Sequence, residues 1–169
     1  MKKYLILSLA PLVVLGLDQA TKALIKTTIP LYGTVAVIRG FFNITHVRNT
    51  GGAFGILAGE TGSLRTTFFI VITVGALVLI FLIFRKVREN RILAPLALAM
   101  VIGGALGNLV DRIRWGYVID FLDLYWETYH WPAFNVADSA ITVGICLLVI
   151  DNLFLQKGPP ESEKLPQSA

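Results

Sequence analysis

An all-α integral membrane protein with four transmembrane helices is the fold class this sequence predicts, and three observations lead to it. The chain has 169 residues, of which 55% are hydrophobic and 15% charged, with a mean hydropathy of +0.69. That is far more apolar than a soluble domain of this size needs. The apolar residues gather in runs close to the ~20 residues a helix needs to cross a bilayer. The basic residues flank those runs in short clusters, with no stripe of interleaved aromatics. The net charge of +4 therefore reads as membrane topology, and no nucleic-acid partner is expected.

The spans are expected over residues 4–25, 66–84, 92–109 and 134–155. The first begins MKKYLILSLAPLVVLGL, which looks like a signal peptide. No small-x-small cleavage site precedes the polar Asp18-Gln19, so it reads as an uncleaved helix. Residues 1–156 then form one membrane domain without an internal repeat. Residues 157–169, KGPPESEKLPQSA, have the Pro, Ser and charge content of a disordered tail. Lys2 and Lys3 precede the first span, Arg85, Lys86, Arg88 and Arg91 crowd the second connection, and Lys157 and Lys164 follow the last span. By the positive-inside rule both termini and that connection are cytoplasmic, and the segments 26–65 and 110–133 face the opposite side.

Polar residues converge on that opposite side. Asp18 lies ~21 Å along the first span and Lys22 one turn further. Asn108, Asp111 and Arg112 close the third span, and Asn135, Asp138 and Ser139 open the fourth. An ionisable group inside an apolar stretch is expensive and points to function. Each group also has a structural reading. Asp18 and Lys22 form an i,i+4 pair in the favourable acid-first order. Asn108 and Arg112 could cap or snorkel at the interface. Asn135 and Asp138 could be an N-cap with its first-turn acid, and Asp151, near the cytoplasmic end, has only a structural reading. These readings do not explain why so many polar groups share one depth.

The chemistry open to them is that of carboxylates. The sequence holds no G-x-S-x-G elbow and no H-E-x-x-H pair, and His46 and His130 have no obvious partners in it. The single Cys146 sits in an apolar run, which excludes an intramolecular disulfide and a multi-cysteine metal site. Asp111, Asp120, Asp123 and Asp138 all fall near the far face. Two carboxyl groups close together cannot both ionise easily, so one holds a proton while the other acts as a base. Asp120 is the best partner for Asp138. On one continuous helix they would be ~27 Å apart, but Pro132 forbids that helix. A loop over 122–133 must fold the chain back, and its Tyr125, Trp126, Tyr129 and Trp131 suit a headgroup-level belt or a lid.

Five runs in order, LDQATK (17–22), RNTGGAF (48–54), GGALGNLVDR (103–112), VIDF (118–121) and FNVADSAITVG (134–144), resemble the signatures of bacterial lipoprotein signal peptidase, or signal peptidase II. Together they span nearly the whole chain except its tail. The resemblance implies a four-span aspartyl endopeptidase of the bacterial inner membrane that removes signal peptides from diacylglyceryl-modified prolipoproteins, cutting before the lipidated cysteine. Matched motif by motif, it implies Asp120 and Asp138 as the catalytic pair. Asn49, Asn108, Arg112 and Asn135 would line or support the site, and Asp18 and Lys22 form the first-span motif. It further implies a small extracytoplasmic β-rich cradle, which 35–50 is β-branched and aromatic enough to form, and a periplasmic loop or helix. NTGG suits a turn, although Ala is more usual in the family at Gly52. No metal or organic cofactor is expected. The expected partners are prolipoproteins, membrane lipids and globomycin-type inhibitors, with the enzyme acting as a monomer.

Gly103, Gly104 and Gly107 should let helices pack closely, and an opening between spans could admit the substrate's signal helix. The alternative is a non-enzymatic transporter or assembly subunit using the same groups as an ion relay. Acids gathered at one end rather than at the midplane, without a repeat, argue against it. An outer-leaflet lipid hydrolase lacks a phosphate-binding set of arginine and histidine. The sequon Asn43-Ile44-Thr45 matters only in a glycosylating pathway.

Overall fold

The computed structural model describes residues 2–51, 62–87 and 91–155, with side chains as far as 153. The expected disordered tail, Gly52 and Arg88 lie outside the described residues. Among the described residues, four helices are long and apolar enough to cross a membrane: α1 (Lys2–Thr28), α2 (Gly62–Lys86), α3 (Leu93–Trp115) and α4 (Val136–Ile150), the last running into a π-helical turn, Asp151–Leu155. All four lie where the hydropathy places them, but α1, α2 and α3 run past the expected spans. The α3 helix continues from 109 to Trp115 and ends on Gly116, whose φ of 74° lets its N–H close on Arg112 O. Length set by hydropathy therefore underestimates a helix that projects beyond the hydrocarbon. Asp111, Arg112 and Arg114 are helical residues, not loop residues.

The α3 helix is the centre of the bundle. It packs on α1, α2 and α4, and 56% of its apolar window is buried against 6% for α2. Small residues make that possible. A Cβ on Gly104 would collide with the Ala137 carbonyl of α4, and one on Gly107 would come within 2.6 Å of Asp18 Oδ2 of α1. The expected role of these glycines in close packing is met. In contrast, α2 is apolar all round and, among its described side chains, buries only Phe84. Its exposed Val71, Ile72, Val78 and Leu79 face where lipid would be.

After α1 come β1 (Thr34–Ile38) and β2 (Phe42–Asn49), the first starting one residue before the expected β-rich stretch and the second inside it. The segment expected as a loop or helix before α4 is instead a strand, β3 (Val118–Trp126), turning into the short β4 (Tyr129–His130). The sheet runs β1-β2-β3-β4, and neighbouring strands pair antiparallel. Its local cause is VIDFLDLYW, rich in β-branched and aromatic residues and paired along β2 with Asp120 opposite Val47 and Val118 opposite Asn49. Ile119 and Phe121 pack with Ile25 of α1, which fixes the sheet to the end of the bundle.

The helix ends away from the sheet are tied separately. Lys3 Nζ donates to Val87 O at 2.7 Å, and Arg91 forms an ion pair with Asp151 at 2.7 Å. Asp151 at that end thus has a structural role, held by the Arg91 ion pair.

Candidate active site

The site is built where α1, α3, α4 and β3 meet. The α4 helix begins at Asn135, whose extended backbone (φ −135°, ψ −175°) is that of an N-cap. Its Oδ1 accepts the Asp138 N–H at 2.9 Å, and Asp138 Oδ2 accepts the Asn135 N–H at 3.3 Å. This reciprocal capping box is the structural reading of the pair, and it holds. Capping does not use up either side chain. Asn135 Nδ2 reaches across to Asp120 Oδ1 on β3 at 2.7 Å, and Asp138 Oδ1 accepts from Asn108 Nδ2 of α3 at 2.7 Å. One asparagine therefore touches both aspartates.

Asp120 is brought to α4 by its strand, with no continuous helix between them. Its second oxygen accepts from Asn49 Nδ2 at 2.9 Å, and the Asn49 Oδ1 accepts the Gly51 N–H at 3.0 Å, a local turn at the start of NTGG. Asp120 is 2% exposed. Burial first, and the Asp138 carboxylate next, push its carboxyl from 3.8 up to about 7, against the amide N–H groups of Asn49 and Asn135 and the charge of Lys22. A carboxylic acid poised near neutrality beside a second carboxyl group can hand a proton over at physiological pH.

Behind the two aspartates lies a buried ionic cluster. Lys22 Nζ sits 2.9 Å from Asp18 Oδ2, 3.0 Å from Asp111 Oδ2 and 3.0 Å from Asn108 Oδ1. Asp18 Oδ1 also accepts the Ala137 N–H at 3.0 Å, and Asp111 Oδ2 accepts the Ile119 N–H at 3.1 Å. The first-span pair is thus more than a local i,i+4 contact, because it clamps the starts of α4 and β3. Gln19 is a member that sequence reasoning missed. Its Nε2 donates to Asp111 Oδ1 at 2.9 Å and stands 3.2 Å from Asp18 Oδ2. A lone amide next to Asp18 in an apolar run was the signal for it. Arg112 donates to Asn108 O at 3.4 Å and lies over the Phe69 ring.

The other candidates serve elsewhere. Asp123 accepts from Asn43 Nδ2 at 2.9 Å and pairs with His130 Nδ1 at 2.8 Å, while His46 Nδ1 meets Ile29 O at 2.8 Å. Both histidines therefore have partners, the sheet residue Asp123 for His130 and the Ile29 carbonyl just after α1 for His46. Ser139 Oγ returns to Asn135 O at 2.9 Å. Cys146 is free and exposed. Among the described residues no three His, Cys, Asp or Glu side chains are gathered as metal ligands.

Asp120, Asp138, Asn49, Asn108 and Arg112 open onto one cleft of about 620 Å³, walled by apolar groups including Trp131, Phe134 and Val143. Two carboxyl groups facing such a cleft, at one end of a four-helix apolar bundle, suit the chemistry of an aspartic peptidase of the membrane-embedded class. Comparison with known proteins agrees and narrows it. The sequence profile of Peptidase_A8, signal peptidase (SPase) II, matches residues 10–154. The chain is 58% identical to a lipoprotein signal peptidase of Geobacter sulfurreducens over 142 residues, which is 82% of this chain and 88% of that one. It is 50% identical to that of Geobacter metallireducens over 148 residues, 88% of this chain and 90% of the relative. A solved structure described as a bacterial membrane enzyme superimposes with a TM-score of 0.78 at 37% identity, covering 89% of this chain and 91% of that one. The chain belongs to the signal peptidase II family.

Proposed function

We propose that the chain removes signal peptides from diacylglyceryl-modified prolipoproteins by cutting before the lipidated cysteine, with Asp120 and Asp138 as its catalytic pair. The observation that carries this reading is the bridge through Asn135, whose side-chain amide donates to the buried Asp120 carboxyl and whose backbone N–H donates to the half-buried Asp138 carboxyl, at the mouth of an apolar cleft. As carboxylate, one aspartate takes a proton from water. The other, protonated, hydrogen-bonds the scissile carbonyl and stabilises its developing charge. The proton then passes to the leaving amine. Asn49, Asn108 and Asn135 fix the carboxyl groups, and Arg112 places a positive charge on the cleft wall. Asp18 and Lys22, with Asp111, hold the starts of α4 and β3, which carry the pair.

In this reading residues 1–156 form one membrane domain with both termini in the cytoplasm, and 157–169 are a cytoplasmic tail. The distribution of Lys2, Lys3, Arg85 and Lys86 supports that orientation. The site then faces the periplasm, where diacylglyceryl chains lie in the outer leaflet beside the cleft and the sheet forms a cradle at the headgroup level. The exposed Trp126, Tyr129 and Trp131 on the β3–β4 hairpin suit a belt there. A monomer is sufficient for the reaction, and globomycin-type inhibitors would occupy the same cleft.

The test is gel-shift processing of a diacylglyceryl-modified prolipoprotein by purified protein, comparing wild type with Asp120→Asn and Asp138→Asn at equal folded amounts. Both variants should lose cleavage. Full cleavage by either one would remove that residue from the mechanism.

A further inference from the structure

The orientation of an asparagine amide near a carboxylate is normally ambiguous, because oxygen and nitrogen can exchange places. Around this pair it is dictated. Lys22 Nζ has three protons and three neighbours within hydrogen-bond reach, Asp18 Oδ2, Asp111 Oδ2 and Asn108 Oδ1. An ammonium group can only donate, so Asn108 must turn its oxygen to Lys22 and its Nδ2 to Asp138 Oδ1, 2.7 Å away. The flipped amide would set N–H against ammonium on one side and oxygen against carboxylate on the other. Asn135 Nδ2, 3.2 Å from Asn108 Oδ1, favours the same orientation.

We propose that Lys22 is a positioning residue for the dyad: by occupying Asn108 Oδ1 it holds the Asn108 N–H on Asp138, so that Asp138 is the resting carboxylate and Asp120 the protonated partner. This inference rests on the catalytic reading of the two aspartates given above. The asymmetry of their surroundings supports it. Asp138 stands in the first turn of α4, where the positive end of the helix dipole favours an anion, and it accepts the backbone N–H of Asn135. Asp120 lies on a strand, away from any helix N-terminus, and accepts from the side-chain amides of Asn49 and Asn135. The charged groups around Asp138 are Asp120 from β3, Arg112 from α3, and Lys22 and Asp18 from α1. Of these, Lys22 is the cation that contacts the amide donating to Asp138.

The prediction concerns the low-pH limb of kcat/KM, which reports when the dyad loses its carboxylate form. Lys22→Met should move that limb to higher pH by about one unit or more, and Lys22→Arg should restore it. A residue that merely braces the helices would lower the rate without moving the limb. A through-space effect of the lysine charge is separated by a double-mutant cycle with Asn108→Ala. If Lys22 acts through Asn108, Lys22→Met moves the limb far less when Asn108 is already alanine. An equal shift in both backgrounds, or no shift in either, overturns the proposal. If Lys22→Met does not accumulate folded, the cycle is run with Asp111→Asn added, which returns the cluster to its original net charge. Cleavage retained by Asp138→Asn would instead sink the dyad reading itself, and that arm is scored separately.

Discussion

Asn135 Nδ2 lies 2.7 Å from Asp120 Oδ1, joining the N-cap of one helix to a strand residue fifteen positions earlier. The same side chain caps α4 through the Asp138 N–H. The cap and the carboxyl bridge are therefore one structural element, and substitutions can separate them. In Asn135→Ser the hydroxyl can still accept the Asp138 N–H, so stability should be largely kept. The contact to Asp120 is lost, and kcat/KM should fall by about ten- to a hundredfold. Asn135→Ala should lose about 1 kcal/mol of stability as well. Thermal unfolding in detergent beside a cleavage assay reads both; equal activity of wild type and Asn135→Ser would discount the bridge.

The pH dependence of cleavage should have an upper limb near neutrality. Asp120, with its carboxyl pushed up to about 7, keeps its proton below that value and loses it above. A dyad with both members ionised has no acid to offer the scissile carbonyl, so kcat/KM should decline as pH rises past about 7. A rate that kept climbing to pH 9 would contradict it.

Stability should carry the same signature. Because the folded value for Asp120 is above its ordinary 3.8, the native state binds the proton more tightly than the unfolded chain does. The corresponding contribution to stability is fully present below about pH 4 and disappears as pH rises through about 7. The Tm of wild type minus that of Asp120→Asn should therefore shrink between pH 4 and pH 8, whatever the fixed offset between the two proteins. A difference that stayed flat across this range would show that the carboxyl titrates normally.

Two glycine substitutions should behave oppositely. Gly104→Ala drives a methyl group into the Ala137 carbonyl, with Ile141 Cγ1 2.8 Å away on the same side. It should cost about 1–3 kcal/mol and lower activity by displacing α4. Nothing lies within 4 Å of a Cβ on Gly75 in α2. Gly75→Ala should be neutral or stabilising by up to about 1 kcal/mol. Melting curves of the two variants in one detergent settle the comparison.

The helices were legible in the sequence because a run of apolar residues long enough to cross a bilayer has few other uses, and the convergence of Asp18, Asn108 and Asp138 at one depth followed from helical rise alone. Asp120 was harder. Spacing alone did not place it beside Asp138; the fold-back required at Pro132 allowed the pairing, and motif resemblance singled it out. The reason is that β3 owes its place to partners remote in sequence, Val47 and Asn49 among them, which no local pattern in VIDF announces. The partners of Asp123 and His130 were hidden for the same reason. Gln19 escaped notice because a single amide beside an obvious acid looks like a helix-end residue until α3 is packed against it.

The unequal burial of the helices also bears on biosynthesis. With its apolar surface and few buried side chains, α2 can enter lipid by itself and wait there. The α3 helix cannot do so equally well, since it brings Asn108, Asp111 and Arg112 in with it. The first helix has an internal remedy, because Asp18 and Lys22 neutralise each other within one turn, and so it tolerates the interval before α3 emerges from the ribosome. Assembly is then timed by α3, and a nascent chain arrested before Asp111 should be a ready target for membrane quality-control proteases. The groups that support the reaction in the finished protein are, during synthesis, the ones that make its third helix depend on its first.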